Sequence, residues 1–296
     1  MRKIVKSMLL VCLGMLFCSS VVAYQHRETV EKKTGIMLVA FGTTIPEANK
    51  AFVDLENEVK KTFPDIEIKW AFTSKIVQRK LQKAGKQVDS PLVALSKMID
   101  DGYTDILIAS FHTMPGEEFH KLCRDVQALS QASESEGRRF EVSKPLFSST
   151  EEMDKIGNAV LDRFKGIKNH EDAVILMGHG NKKHVGDSVY PAFAYFIQKI
   201  DSNFFVATVD GRPSIEEIIP ILSEKKIKKV WLAPLMAVAG DHARNNMCGN
   251  TPDSWKSMLT KDGFQVECIM EGTSENPKIR EIWIDHLKVA FDRLKL

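Results

Sequence analysis

Two stretches of this chain, Ile36–Phe41 and Ala173–Met177, are apolar at every position, and they restrict the fold more than any other feature. A strand with one wet face alternates apolar and polar residues. A run that is apolar throughout is buried on both faces, which is the signature of a parallel sheet covered by helices on either side. Ile106–Phe111, Phe204–Val209 and Val230–Leu235 are close to the same pattern, and Ile66–Phe72 and Gln265–Ile269 read as further strands. The segments between them carry helical spacing. Between Pro46 and Phe63 the apolar positions Ala48, Ala51, Phe52, Leu55 and Val59 fall on one face, and Pro46 suits a first turn. Helices are likewise expected at Ser74–Lys83, Leu92–Asp101, from about Glu117, near Tyr190–Ile200, at Ile215–Leu222, around Trp255–Leu259 and at Pro277–Leu294. The chain is therefore read as α/β.

The plan occurs twice. Ile36-Met37-Leu38-Val39-Ala40-Phe41-Gly42 matches Val174-Ile175-Leu176-Met177-Gly178-His179-Gly180 in position, and Ile106 to Glu118 matches Val230 to His242. The expected architecture is two similar Rossmann-like lobes whose parallel sheets face a central cleft. The lobes are assigned to residues 24–150 and 151–296, with the C-terminal helix free to pack back on the first lobe. Its 296 residues, 44% hydrophobic and 27% charged, suit one large or two smaller folded domains. A formal charge of +2 leaves no basic excess to mark a nucleic-acid partner.

Residues 1–23 read as a cleavable export signal. Arg2, Lys3 and Lys6 precede an apolar run from Met8 to Cys18, and small residues lead to a cut after Ala23. The apolar stretch is short for a membrane anchor, and Phe17 before Cys18 disfavours a lipoprotein. The segment holds three basic and no acidic residues, so its removal turns the formal +2 into −1. Cys123, Cys248 and Cys268 remain, an odd, sparse set that fits at most one bridge plus a free thiol and no zinc motif. A periplasmic location is expected.

In open parallel sheets, ligands gather at the carboxyl ends of strands. His179, His242, Glu117, Glu118 and Asp210 all fall at such ends, and the duplication sets Glu118 opposite His242. Imidazole and carboxylate suit divalent first-row metals, and an open site can hand a metal on. Taken singly, each has an ordinary structural explanation: a strand-end His that is merely hydrogen-bonded, acids complementing a helix dipole, an Asp-Gly turn. Their joint placement is what points to a site. Gly178-His179-Gly180 lacks the spacing of a dinucleotide fingerprint, and no Ser nucleophile elbow is present.

Several segments resemble one family. Phe41-Gly42-Thr43, Ala71-Phe72-Thr73-Ser74, Phe111-His112-Thr113-Met114-Pro115-Gly116-Glu117-Glu118, Met177-Gly178-His179-Gly180 and the run Pro234 to Met247, with its Ala239-Gly240-Asp241-His242-Ala243 centre, are similar to the anaerobic sirohydrochlorin cobalt chelatases of the CbiK type. Asp253-Ser254-Trp255-Lys256 and Gly272 through Ile279 fit as well. This resemblance implies a class II chelatase that inserts Co2+, with Fe2+ or Ni2+ as further candidate metals, into a sirohydrochlorin-type tetrapyrrole without ATP or any nucleotide. It implies His179 and His242 as the paired active-site histidines and Glu118 as the carboxylate facing them. Asp210 stands where the family usually has Glu, one methylene longer, which opens the question of direct or water-mediated metal contact. Export departs from the cytoplasmic habit of many members. The competing expectation is a periplasmic carrier of a haem-like tetrapyrrole or a metal, without turnover; a metal-independent binding protein is a third. His120 is a surface residue or a haem ligand at a subunit contact, and homo-oligomerisation stays open.

Overall fold

The computed structural model describes residues 31–133 and 137–295. The stretch read as an export signal lies outside them. Two four-stranded parallel sheets organise the chain. The first is built from β1 (Thr34–Ala40), β2 (Glu67–Phe72), β3 (Asp105–Ser110) and β4 (Arg139–Val142), in the order β2-β1-β3-β4. The second uses β5 (Ala173–Gly178), β6 (Phe204–Thr208), β7 (Lys229–Pro234) and β8 (Gln265–Cys268), in the order β6-β5-β7-β8. The orders are the same once the strands are paired off, so the positional duplication read from sequence is a duplication of topology. β1 corresponds to β5 and β3 to β7. All pairings are parallel, for example Leu38 with Trp70 and Leu176 with Val206.

Each central strand serves two cores, which explains its lack of alternation. Ile36, Leu38 and Ala40 on β1 point into one apolar cluster, while Met37 and Val39 point into another. On β5, Val174 and Leu176 join the first cluster too, and Ala173, Ile175 and Met177 enter a third. The shared middle cluster therefore belongs to both sheets. Burial of each such Leu, Ile or Phe contributes about 1.5–3 kcal/mol, and a common apolar layer binds the halves into one body spanning Lys33–Leu296.

Helices fill that layer. α1 (Pro46–Thr62) starts with Pro in its first turn, carries Glu47 there and Lys60 and Lys61 in its last, and buries Phe52, Leu55 and Val59. α2 (Lys75–Lys83) and α3 (Pro91–Asp100) are N-capped by Ser74 and Ser90. α4 (Glu117–Ala132) follows β3. α5 (Thr150–Phe164) is a helix absent from the reading above, although its signals are present. Ser149 caps it by accepting from the Glu152 amide, Glu151 and Glu152 lie in the first turn, and Met153, Ile156, Val160 and Phe164 are buried on one face. It packs against α6 (Val189–Ile200). α7 (Ile215–Glu224) and α8 (Trp255–Lys261) flank the second sheet. α9 (Pro277–Lys295) runs back over β3 and β4 of the first sheet. There His286 bridges Glu152 Oε1 at 2.5 Å and the Lys144 carbonyl at 3.3 Å. Among the described residues no helix is long and apolar enough to cross a membrane.

Cys248 and Cys268 form a disulfide, joining the segment after β7 to the end of β8, and Cys123 is a free, half-buried thiol.

Candidate active site

The carboxyl ends of six strands open into one cleft of about 890 Å3, lined from both halves of the chain. Phe41 follows β1, Ser74 and Ile76 follow β2, and Thr113, Met114 and Gly116 to Phe119 follow β3; His179, Asp210 and His242 follow β5, β6 and β7. That volume lies within the usual range for a buried small-molecule site.

His179 is aimed by its two glycines. A Cβ at Gly178 would lie 2.1 Å from the Tyr190 ring, so only glycine lets strand β5 end against α6. Gly180 has φ +81°, and a Cβ there would press on the Gly211 backbone at 2.5 Å. The strand therefore runs straight up to the imidazole and turns sharply just after it, at Gly180. The Gly180 amide donates to Tyr190 Oη at 3.3 Å, and burial pushes the Tyr190 phenol up to about 12, keeping it neutral. His179 Nδ1 donates to the Gly180 carbonyl at 2.8 Å. A carbonyl only accepts, so Nδ1 carries the proton and Nε2 keeps its lone pair.

His242 sits on a short helical start that continues as a π-helical turn, Ala243–Met247. Ala243 and Met247 are fully buried in the core of the second half and anchor that turn. Asn246, one turn on, accepts from His242 Nδ1 at 2.9 Å, which again leaves Nε2 free. The rings of His179 and His242 meet edge to face with centroids 4.7 Å apart, and Phe41 lies 6.1 Å from His179. Phe41 is 44% exposed, an aromatic ring left open in the cleft.

Glu118 lies on the cleft wall in the first turn of α4. Burial raises its carboxyl above the ordinary value, with Thr73 opposing and Glu117 reinforcing the rise; nearby Lys121 and His179 favour the ionised form. Asp210 lines the same cleft but is exposed. Its amide donates to the His179 carbonyl at 2.8 Å, so backbone, not side chain, ties it to the imidazole pair. Among the described residues no three His, Cys, Asp or Glu side chains converge into a closed metal cluster. The site as built is two free imidazole nitrogens with carboxylates on the surrounding walls.

Met114, Met236 and Val238 line the cleft, and Val238 is also buried in the shared core. His120 has a partner that sequence reasoning missed. Its Nδ1 is 3.2 Å from His184 Nε2. His184 Nδ1 accepts from the Gly186 amide, so its Nε2 carries the proton and donates to His120. Asn181 Nδ2 donates to Glu117 Oε2 at 2.9 Å beside this pair, and together they clasp the loop after β5 onto α4. His112 was also missed. It is buried, its Nδ1 pairs with Ser110 Oγ at 2.9 Å, and desolvation lowers it to about 4, so it stays neutral. Its place just after β3 is the one signal that could have drawn attention to it.

Facing imidazoles and carboxylates at the strand ends of a duplicated α/β body define a two-lobed protein of the chelatase type. The solved structures most relevant to that fold include SirB from Bacillus subtilis with Fe3+, with TM-score 0.60 at 14% identity, covering 87% of this chain and 95% of that one. CbiX, described as the terminal enzyme for biosynthesis of siroheme in denitrifying bacteria, gives TM-score 0.53 at 14% identity over 86% and 99%. At these identities the likeness is one of fold. In sequence, the chain is 34% identical over 262 residues to the sirohydrochlorin cobaltochelatase CbiKC of Nitratidesulfovibrio vulgaris, 88% of this chain and 92% of that protein. It is 32% identical over 265 residues to the sirohydrochlorin cobaltochelatase of Salmonella typhimurium, 88% and 97%. The cobalt chelatase (CbiK) family model matches residues 34–292. The chain belongs to the CbiK cobalt chelatase family.

Proposed function

We propose that this protein inserts Co2+ into sirohydrochlorin, a step of cobalamin biosynthesis, with His179 and His242 acting on metal and protons and Glu118 carrying protons away. The observation that carries the proposal is the edge-to-face imidazole pair, both Nε2 lone pairs free, at the end of the two central strands of the second half. Family membership and the activity named for two relatives at 32–34% identity supply the substrate class.

Metal insertion requires two pyrrole N–H protons to leave as a hydrated M2+ loses its water. A neutral imidazole binds a first-row cation or accepts a proton, and its Nε2 is the atom available for both. Glu118, raised by burial, exchanges a proton closer to neutrality than an ordinary carboxylate and suits the next step outward. Asp210, lining the cleft from the second half, balances the charge of the arriving cation. The exposed Phe41 and Ile76, with Met114 and Met236, offer apolar contact to a flat macrocycle. Nothing in the proposed chemistry calls for a nucleotide. Iron and nickel are alternative substrates that such donors also accept, and cobalt is preferred on the relatives' names.

We also propose export to the periplasm, carried by the pattern of residues 1–23. The Cys248–Cys268 bridge fits an oxidising compartment. Purified protein given anaerobic sirohydrochlorin and a molar excess of Co2+ is expected to convert many equivalents of tetrapyrrole, followed by absorbance. A spectral change that stops at one equivalent per chain would instead make it a carrier.

A further inference from the structure

We infer that Lys80, Lys182 and Lys183 form a carboxylate-reading rim at the mouth of the cleft, which selects a polycarboxylate tetrapyrrole over a macrocycle with few acidic side chains. This deepens the sirohydrochlorin reading and rests on it. All three lysines line the cleft and are exposed, Lys80 from α2 in the first half, Lys182 and Lys183 from the loop after β5 in the second. Among the described residues none of their ammonium groups is ion-paired.

The loop carrying two of them is built to hold them in place. Asn181 organises it. Its amide donates to Asp187 Oδ1 at 2.8 Å, its Oδ1 accepts from the Lys183 amide at 3.1 Å, and its Nδ2 crosses to Glu117. The Lys182 amide bonds the Asp210 carbonyl at 3.0 Å. The backbone under both lysines is thus fixed while their ammonium groups stay free. Nearby acids keep their charge but turn their oxygens to amide donors and not to these lysines. Asp187 accepts from the Asn181 and Arg212 amides, Glu117 from Asn181, and Asp241 from Asn245. Among the described residues the three ammonium groups at the cleft are left without a carboxylate partner of the protein's own, free to meet those of a ligand.

On α2, Ile76 and Lys80 are four residues apart and share a face, and both line the cleft. One helix face therefore offers an apolar surface that is 66% exposed at Ile76, with a cation above it. Sirohydrochlorin carries an acetate and a propionate on every ring, so its charge lies at the periphery and its metal-binding nitrogens at the centre. An apolar floor with free cations around it matches that distribution. Flexible lysines meet such carboxylates as point charges, and the attraction falls with salt.

The test is equilibrium binding of metal-free sirohydrochlorin and of the dicarboxylate mesoporphyrin to full-length protein, followed anaerobically by fluorescence quenching. Exposed ion pairs contribute a few-fold each, so the triple variant K80A/K182A/K183A should bind sirohydrochlorin at least about fivefold more weakly. Its salt dependence should flatten, while any affinity for mesoporphyrin stays within about twofold. K80R/K182R/K183R should keep wild-type selectivity, which separates charge from folding. A smaller loss for sirohydrochlorin, or an equal loss for both ligands, overturns the rim. Because no metal is present, these constants stand whether or not the wild type inserts cobalt, so failure of the enzymatic reading is seen separately.

Discussion

The imidazole rings of His179 and His242 meet edge to face at 4.7 Å, each with Nδ1 donating to an acceptor from its own segment. His179 uses the carbonyl of Gly180, and His242 uses the side chain of Asn246 one helical turn on. Two different local structures, a strand end between glycines and a π-helical turn, therefore deliver the same chemical result. Both Nε2 atoms keep a lone pair, and both imidazoles lie in one cleft.

That arrangement makes Asn246 a positioning residue. N246A should free the His242 ring and its tautomer and lower kcat for cobalt insertion by about tenfold, the usual cost of losing a partner behind a ligating imidazole. KM for the tetrapyrrole and the thermal midpoint should change little. A variant with unaltered kcat would show that the hydrogen bond does not orient the ring.

Glu118 offers a pH signature. Its carboxyl is raised by burial, so the folded protein holds that proton more tightly than the unfolded chain does. The stability this gives is complete below the ordinary carboxylate pKa and disappears as pH climbs through the raised value. At neutral pH the ionised group is therefore a cost. E118Q should melt higher than wild type by about 2 °C at pH 8, with the gap closing toward pH 4. Its insertion rate should fall by about a hundredfold if the carboxylate carries protons. Thermal melts across that range, paired with rate measurements, check both parts.

The disulfide stands two residues beyond Asn246. It closes a sequence separation of 20 residues and ties the His242 segment to β8. C248S/C268S should lose about 3 kcal/mol by denaturant unfolding, on the chain-entropy account. Added reductant should then have no further effect on the variant, whereas it should lower the stability of the wild type.

Much of this fold was legible because the central strands are apolar on both faces, and Ile36–Phe41 and Ala173–Met177 admit few other readings. The matched spacing from Ile106 to Glu118 and from Val230 to His242 also revealed the shared topology and paired Glu118 with His242, while the runs Ala173–Met177 and Phe204–Val209 put His179 and Asp210 at their ends. Contacts between segments distant in sequence were not legible. Nothing near His120 announces His184, and three cysteines alone do not say which two pair. The helix Thr150–Phe164 is a different case: its Ser149 cap and acidic first turn are plain, but it lies at the join of the two halves, where a boundary reading hid it. Asp210 shows the limit from the other side, since its strand-end position was legible and its link to His179 through backbone alone was not.

The most direct measurement is the initial rate of anaerobic Co2+ insertion into sirohydrochlorin by the wild type, H179A and H242A, with thermal midpoints taken on the same preparations. Both imidazoles face the cleft instead of the core, so the midpoints should agree within about 2 °C. Each substitution should reduce the rate by at least about a hundredfold. Near wild-type rates in both folded variants would contradict the account.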